Sequence, residues 1–465
     1  MPALPESRLA RRVSSLREAP LDVPTRERLA QALLDWFTAG WSAAPMPLAG
    51  CFRTLAADCY PGTGETPVFG GAMLPLPAAA FANAAIAHIR EIDDAHRAAM
   101  LHPGVVAVSP VMAFASGGQL TRRRMADAIL AGYEVALRVG EALGTRHAAN
   151  FHATATAGTL GAAAASSMAL GLPEAVLHHA LGLGATQAQG LWQLMEDDAQ
   201  ESKSLHPAFA VRNGMTAALA ARAGLPGARS FVTGKRALYA NLAGDGPLDA
   251  LDAGLDGPLR LHTATIKAWP CCAQLFTPLD AAQELLAAHR PDIGAIREIE
   301  VAIFPHALKI AGVDWPARPA ETCFSLRYVL AVLLLRGRLT IEDMEAPRLD
   351  DPALRDLADR IRIRTDEAFQ REFPHRRPST VTLVMADGNR LYARRDLRRG
   401  DPEDPFDWNQ MLARMRAFAP AMSDEAASSI AAWCEAFVDP ACDGEPALPP
   451  PCLFGTAELR AGVAA

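Results

Sequence analysis

Apolar and small residues recur at helical spacing through the first 260 or so positions. From Met125, the residues Ala128, Ile129, Gly132, Tyr133, Ala136, Leu137 and Gly140 fall on one face at i, i+3, i+4, i+7 intervals. Thr121 precedes this run as an N-cap and Gly144 follows it as a stop. Pro173 after Gly171 opens another helix, and Pro207 opens a third through Ala210, Met215 and Leu219 to Gly224. Segment 153–170 is so rich in Ala, Gly and Ser that it reads as an interior helix whose small side chains let neighbouring backbones approach.

The period changes after about Ile266. Residues 297–304 alternate, with Ile299, Val301 and Ile303 on one face of a strand. Residues 381–393 read as a β-hairpin turning at Asp387-Gly388. Helical stretches lie between them at 325–336 and 351–361. Beyond a charged linker, 399–405, helical spacing returns at 408–418 and 423–437. The pattern predicts a mainly α protein. A large all-helical domain is built from both chain ends, 1–266 and 399–465, and is interrupted by a smaller α+β lid domain at 267–398. The Pro-rich segment 446–451 reads as a surface strap.

Composition narrows the function classes. The 465 residues are 50% apolar and 21% charged, enough for a sizeable core. A net charge of −7 argues against nucleic acid as the main partner, because phosphate binding needs a basic surface. The longest uncharged stretches, 98–121 and 147–173, are broken by prolines and glycines or too rich in small residues to enter lipid, so no membrane partner is expected. Arg8, Arg11 and Arg12 are not followed by an apolar run, so no signal peptide is expected and the expected location is cytoplasmic. The eight cysteines form no CxxC pair and no zinc-type spacing; they read as reduced, packed thiols, with no metal.

Of the 45 basic residues only four are lysines: Lys203, Lys235, Lys267 and Lys309. In a chain so biased to arginine, a lysine that remains is a candidate for a role guanidinium cannot fill, that of a compact ammonium. Two of the four fall in segments that also gather histidines, acids, glycine or proline. These segments are EIDDAHRAAMLHPG (91–104), NFHATATAG (150–158), ESKSLHPA (201–208) and IKAWPCC (266–272). Each sits where a helix should begin or end, a place where backbone N–H groups converge on an anion. They bring forward Asp93, Asp94, His96, His102, His152, His206, Lys203 and Lys267. Taken alone, Asp93-Asp94 reads more often as a helix cap than as a catalytic pair, and each histidine more often as a helix cap or a satisfied core residue than as a functional one. No HxxxH, HExxH, GxxxxGK[ST], GxGxxG or GxSxG pattern is present.

Taken in order, HPGVVAVSP (102–110), AGYEVALRVG (131–140), NFHATATAGTLGAAAA (150–165), KSLHPAFAVRNGMTAALAARAG (203–224), KAWPCC (267–272) and FSLRYVLAVLLLRG (324–337) resemble the MmgE/PrpD family over roughly residues 10–440. That family includes 2-methylcitrate dehydratase, cis-aconitate decarboxylase and iminodisuccinate epimerase. The resemblance implies a helical domain with an α+β lid, a homodimer, an active site between the two domains, and no cofactor. Carried over residue by residue, the implied catalytic set is His102, His152, Lys203, Lys267 and Tyr328. Asp93, Asp94, His96 and His206 are implied substrate-side residues.

The chemistry implied is proton transfer or carbon dioxide loss next to a carboxylate of a small polycarboxylic acid. Lysines would neutralise charge, and histidines would serve as acid and base. Dehydration ranks first by family frequency; decarboxylation, epimerisation and a non-catalytic carboxylate-binding homologue stay open. The chain departs from the family pattern at Glu91, Ala95, Ala273, Phe276 and Arg327, which stand for an aspartate, a threonine, an arginine, a histidine and a proline. Losing a cation and an imidazole favours a smaller or less charged acid over a tricarboxylate such as methylcitrate.

Overall fold

The computed structural model describes residues 4–197 and 199–455. They fold into two compact units: residues 4–264 with 411–455, and residues 265–410. The second is thus inserted in sequence into the first.

The helices that matter for the site are α1 (Leu76–His88), α2 (Pro103–Ala115), α3 (Arg122–Asn150), α4 (Ala153–Ala169) and α5 (Leu205–Arg222). Thr121 caps α3, its hydroxyl accepting from the Arg124 N–H. The expected stop at Gly144 is a kink: Gly144 has φ +77°, after which the helix resumes to Asn150. Every residue of α4 is buried. Its small residues serve close approach, since a Cβ on Gly161 would come within 2.7 Å of the Ala136 Cβ. Helix α5 begins at Leu205, so Pro207 lies in its first turn, where a missing N–H costs nothing. A short hairpin, β1 (Thr66–Val68) with β2 (Ala72–Leu74), had no counterpart in the sequence pattern.

The chain ends return to this unit. Arg414, 6% exposed, pairs with Asp35 at 2.8 Å and donates to the Ile92 carbonyl at 2.6 Å. The Pro-rich strap is tied down where the Ala447 N–H donates to the Leu120 carbonyl. No helix among the described residues is long and apolar enough to cross a membrane. Cys271 and Cys434 are buried, but Cys51, Cys59 and Cys452 are exposed, which corrects the expectation of packed thiols throughout.

The second unit carries a four-stranded sheet of β3 (Ile296–Ile303), β4 (Ile361–Thr365), β5 (Ser379–Met385) and β6 (Arg390–Arg395), in the order β4-β3-β5-β6. β5 and β6 form the expected hairpin, and β4 runs parallel to β3 with Ile361 opposite Ile299. Helices Phe276–His289 and Leu326–Arg336 contribute to its apolar core with Ile299, Val301 and Leu383. The charged run 399–405 belongs to this unit: Arg398 and Asp401 form a buried pair at 2.7 Å, and Asp401 accepts from the Thr265 hydroxyl.

Candidate active site

Three helix starts in the larger unit carry the histidines singled out above. His102 is the N-cap of α2 and His152 the N-cap of α4. His206 lies in the first turn of α5, and Lys203 in the short 3₁₀ turn Gln200–Ser204 just before it. Helix N-termini carry partial positive charge, so this grouping favours anions and disfavours further protonation of the imidazoles.

Asp93 organises the group. It is 1% exposed, and its Oδ2 lies 2.9 Å from Nδ1 of His88 and 3.3 Å from Nδ1 of His102. Burial alone would raise its pKa. The His88 and His102 imidazoles, by charge and hydrogen bonding, outweigh that and hold it well below the usual carboxylate range. An ionised carboxylate only accepts, so the Nδ1 of His88 donates. The rings of His88 and His102 meet edge to face at 4.6 Å between centroids, and His88 stacks on His152 at 5.7 Å.

His152 is 2% exposed, and its Nδ1 lies 3.0 Å from Nδ1 of His206. Burial, then the charge of Lys203, holds the His152 pKa well below that of free imidazole. Burial, with His88 and Lys203 adding, pushes His206 down to about 4. Trp192 packs over His152 at 4.6 Å and under the Lys203 ammonium at 5.9 Å. The His152 N–H donates to the Gly190 carbonyl at 2.8 Å. Gly190 has φ +152°, and a Cβ there would meet the Ala155 Cβ at 2.4 Å, so no other residue fits.

Lys203 is 8% exposed and forms an ion pair with Glu91, one of the residues where the chain departs from the family pattern. Glu91 sits in the left-handed region at φ +52°, a conformation that costs a side-chain-bearing residue energy.

Two predicted substrate-side residues are committed elsewhere. Asp94 accepts from the Tyr133 hydroxyl at 2.6 Å and from the Gly104 N–H at 2.8 Å. Its pKa is raised to about 7 by burial and by Asp35. A Cβ at Gly104 would lie 2.7 Å from Asp94 Oδ1, which explains the glycine of HPG. His96 contacts the Thr263 hydroxyl through Nε2 at 3.0 Å and accepts from the Ala99 N–H through Nδ1. Both residues shape the loop that carries Asp93 and His102.

Lys267 and Tyr328 belong to the second unit. Lys267 is 3% exposed, near its start. Tyr328 is 1% exposed, and its hydroxyl donates to the Asp343 carbonyl at 2.5 Å; burial and the Asp343 charge raise its pKa. Arg327 donates to Asp314 at 2.6 Å and to the Ile361 carbonyl at 2.5 Å, so it binds the start of its helix to neighbouring segments.

The larger unit thus brings together His102, His152, His206, Asp93 and Lys203. It adds two residues that sequence reasoning missed, His88 and Trp192, and it pairs Glu91, known from the sequence as a departure from the family pattern, with Lys203. One ring nitrogen from each of His88, His102 and His152 lies within 4.8 Å of the others. An ionised carboxylate, neutral imidazoles and a buried ammonium at helix N-termini can bind a carboxylate and move a proton at an adjacent carbon.

Residues 7–250 match the MmgE/PrpD N-terminal domain, and residues 269–435 match the MmgE/PrpD C-terminal domain. The chain is 26% identical over 432 residues to a cis-aconitate decarboxylase of Aspergillus terreus, covering 87% of each chain. It is 27% identical over 400 residues to the cis-aconitate decarboxylase of Mus musculus, covering 79% of this chain and 77% of that one. To the Homo sapiens cis-aconitate decarboxylase it is 26% identical over 371 residues, covering 75% of this chain and 74% of the relative.

Proposed function

The chain belongs to the MmgE/PrpD family, and from that premise we propose that it is a cofactor-independent lyase that decarboxylates a small unsaturated polycarboxylate. The single observation that carries the reading is Asp93 bridging His88 and His102 while His152 stays neutral beside Lys203. Dehydration ranked first by family frequency alone. The relatives named cis-aconitate decarboxylase move carbon dioxide loss ahead of it.

In the proposed step the bond to the departing carboxylate breaks, and carbon dioxide leaves without the bonding pair. That pair delocalises onto the remaining conjugated acid, where Lys203 neutralises the developing charge. A proton then reaches carbon. His102, whose imidazolium can pair with Asp93, is suited to deliver it. His152, kept neutral, is suited to accept a proton or orient the acid. Lys267 enters as a second cation through the family motif.

Glu91 already satisfies part of the Lys203 charge, and Ala273 and Phe276 supply none. The preferred substrate is therefore a smaller or less charged acid than methylcitrate. Proton NMR in deuterated water, on cis-aconitate, citraconate, methylcitrate, citrate and iminodisuccinate, tests the proposal. It expects carbon dioxide release with one deuterium incorporated into the product. Water loss from a hydroxy acid without carbon dioxide release would establish dehydration instead. Exchange without net change on iminodisuccinate would establish epimerisation.

A further inference from the structure

We propose that His88, His102 and His152 form a site for one zinc ion, and that zinc there inhibits the enzyme. Helix spacing could not reveal it, because the three residues come from the end of α1 and the starts of α2 and α4.

Three observations carry it. One nitrogen of each ring lies within 4.8 Å of the others. Tetrahedral zinc at about 2.0–2.1 Å from each nitrogen needs them about 3.3 Å apart, so ring movements on the order of 1 Å close the set. Next, Nδ1 of each ring lies close to a polar group: 2.9 and 3.3 Å from Asp93 Oδ2 for His88 and His102, and 3.0 Å from Nδ1 of His206 for His152. That is the arrangement of metal-bound histidines, whose second nitrogen is fixed by a carboxylate or another acceptor while the first binds the ion. Finally, His88 is fully buried, and its Nε2 has no hydrogen-bond partner among the described residues. A buried imidazole lone pair with no partner is costly, and an ion would satisfy it.

Three imidazole ligands favour zinc over magnesium or calcium, which take oxygen ligands. The fourth position would be open to water or to a substrate carboxylate. The inhibitory half of the proposal rests on the function proposed above. A bound ion takes the nitrogens that His102 and His152 need for proton transfer, so activity and zinc occupancy exclude each other.

The test titrates zinc chloride into full-length protein freed of metal by chelator dialysis, read by calorimetry and metal analysis. Expected is one ion per chain, bound at least 100-fold more weakly by His88→Ala and His88→Gln, and unchanged in His375→Ala, which alters an exposed histidine. X-ray absorption of the wild-type zinc complex decides the ligands without any variant. Three imidazoles support the site. Sulfur ligands, which would point to the exposed Cys51, Cys59 or Cys452, or the absence of saturable binding, overturn it. Should zinc bind through three imidazoles without lowering turnover, the site stands, and the assignment of His102 and His152 to proton transfer falls.

Discussion

Nδ1 of His152 faces Nδ1 of His206 across 3.0 Å, so one ring must donate and the other accept. This fixes complementary tautomers in a pair that burial keeps neutral. Removing His206 leaves a buried nitrogen of His152 unpaired, a penalty of about 1–3 kcal/mol. His206→Ala should lower kcat on the order of 10- to 100-fold with little change in KM, and His206→Asn should recover part of the loss. Equal KM and kcat effects in both variants would indicate that His206 binds substrate directly.

The same pair sets a pH dependence of stability. The pKa of His206 is about 4 when folded, below the ordinary 6.5 of an exposed imidazole. Between those values the unfolded chain holds a proton that the folded chain does not. Stability from this group is therefore complete above about pH 6.5 and lost as pH falls toward 4. Asp94, raised to about 7, works with the opposite sign but is present in both proteins compared. Between pH 7 and pH 4.5, the Tm of His206→Gln should fall several degrees less than that of wild type. Parallel melting curves would contradict a neutral, buried His206.

Glu91 pairs with Lys203 from a left-handed backbone position. If it limits the charge a substrate can carry, Glu91→Gln should shift specificity toward tricarboxylates. The ratio of kcat/KM for a tricarboxylate over a dicarboxylate should rise about 10-fold, on the order of 1.4 kcal/mol. An unchanged ratio would remove Glu91 from substrate selection.

Much of this was legible in the chain. Small and apolar residues at 3.6 spacing located α3 and α4, and alternation located β3 and the β5–β6 hairpin. β4 escaped because its run, Ile-Arg-Ile-Arg-Thr, has only two apolar positions and sits at a sheet edge with its arginines outward. Local motifs found His102, His152, His206 and Lys203 because each lies at a helix start. They did not find His88, which closes an alanine-rich helix and meets the others only through packing. Nor could they separate Asp93 from its neighbour Asp94. The difference lies in partners, two imidazoles for one and Tyr133 with the Gly104 N–H for the other.

The scarcity of lysine yields its own prediction. Lys203 and Lys267 are buried, whereas Lys235 and Lys309 are exposed. Lys203→Arg and Lys267→Arg should each lose on the order of 100-fold in kcat/KM, because a planar guanidinium does not replace a compact ammonium. Lys235→Arg and Lys309→Arg should stay within a few-fold of wild type. Four equal outcomes would show that the surviving lysines say nothing about function.

The central claim is that Asp93, by holding two imidazoles, drives the chemistry. It is tested most directly by kcat for Asp93→Asn on the acid that the wild type turns over, with folding checked by the melting curve. Asparagine keeps the shape but cannot stabilise an imidazolium or fix both Nδ1–H tautomers. The account predicts a loss of kcat on the order of 10³-fold in a folded protein. A folded Asp93→Asn enzyme within about threefold of wild type would contradict it.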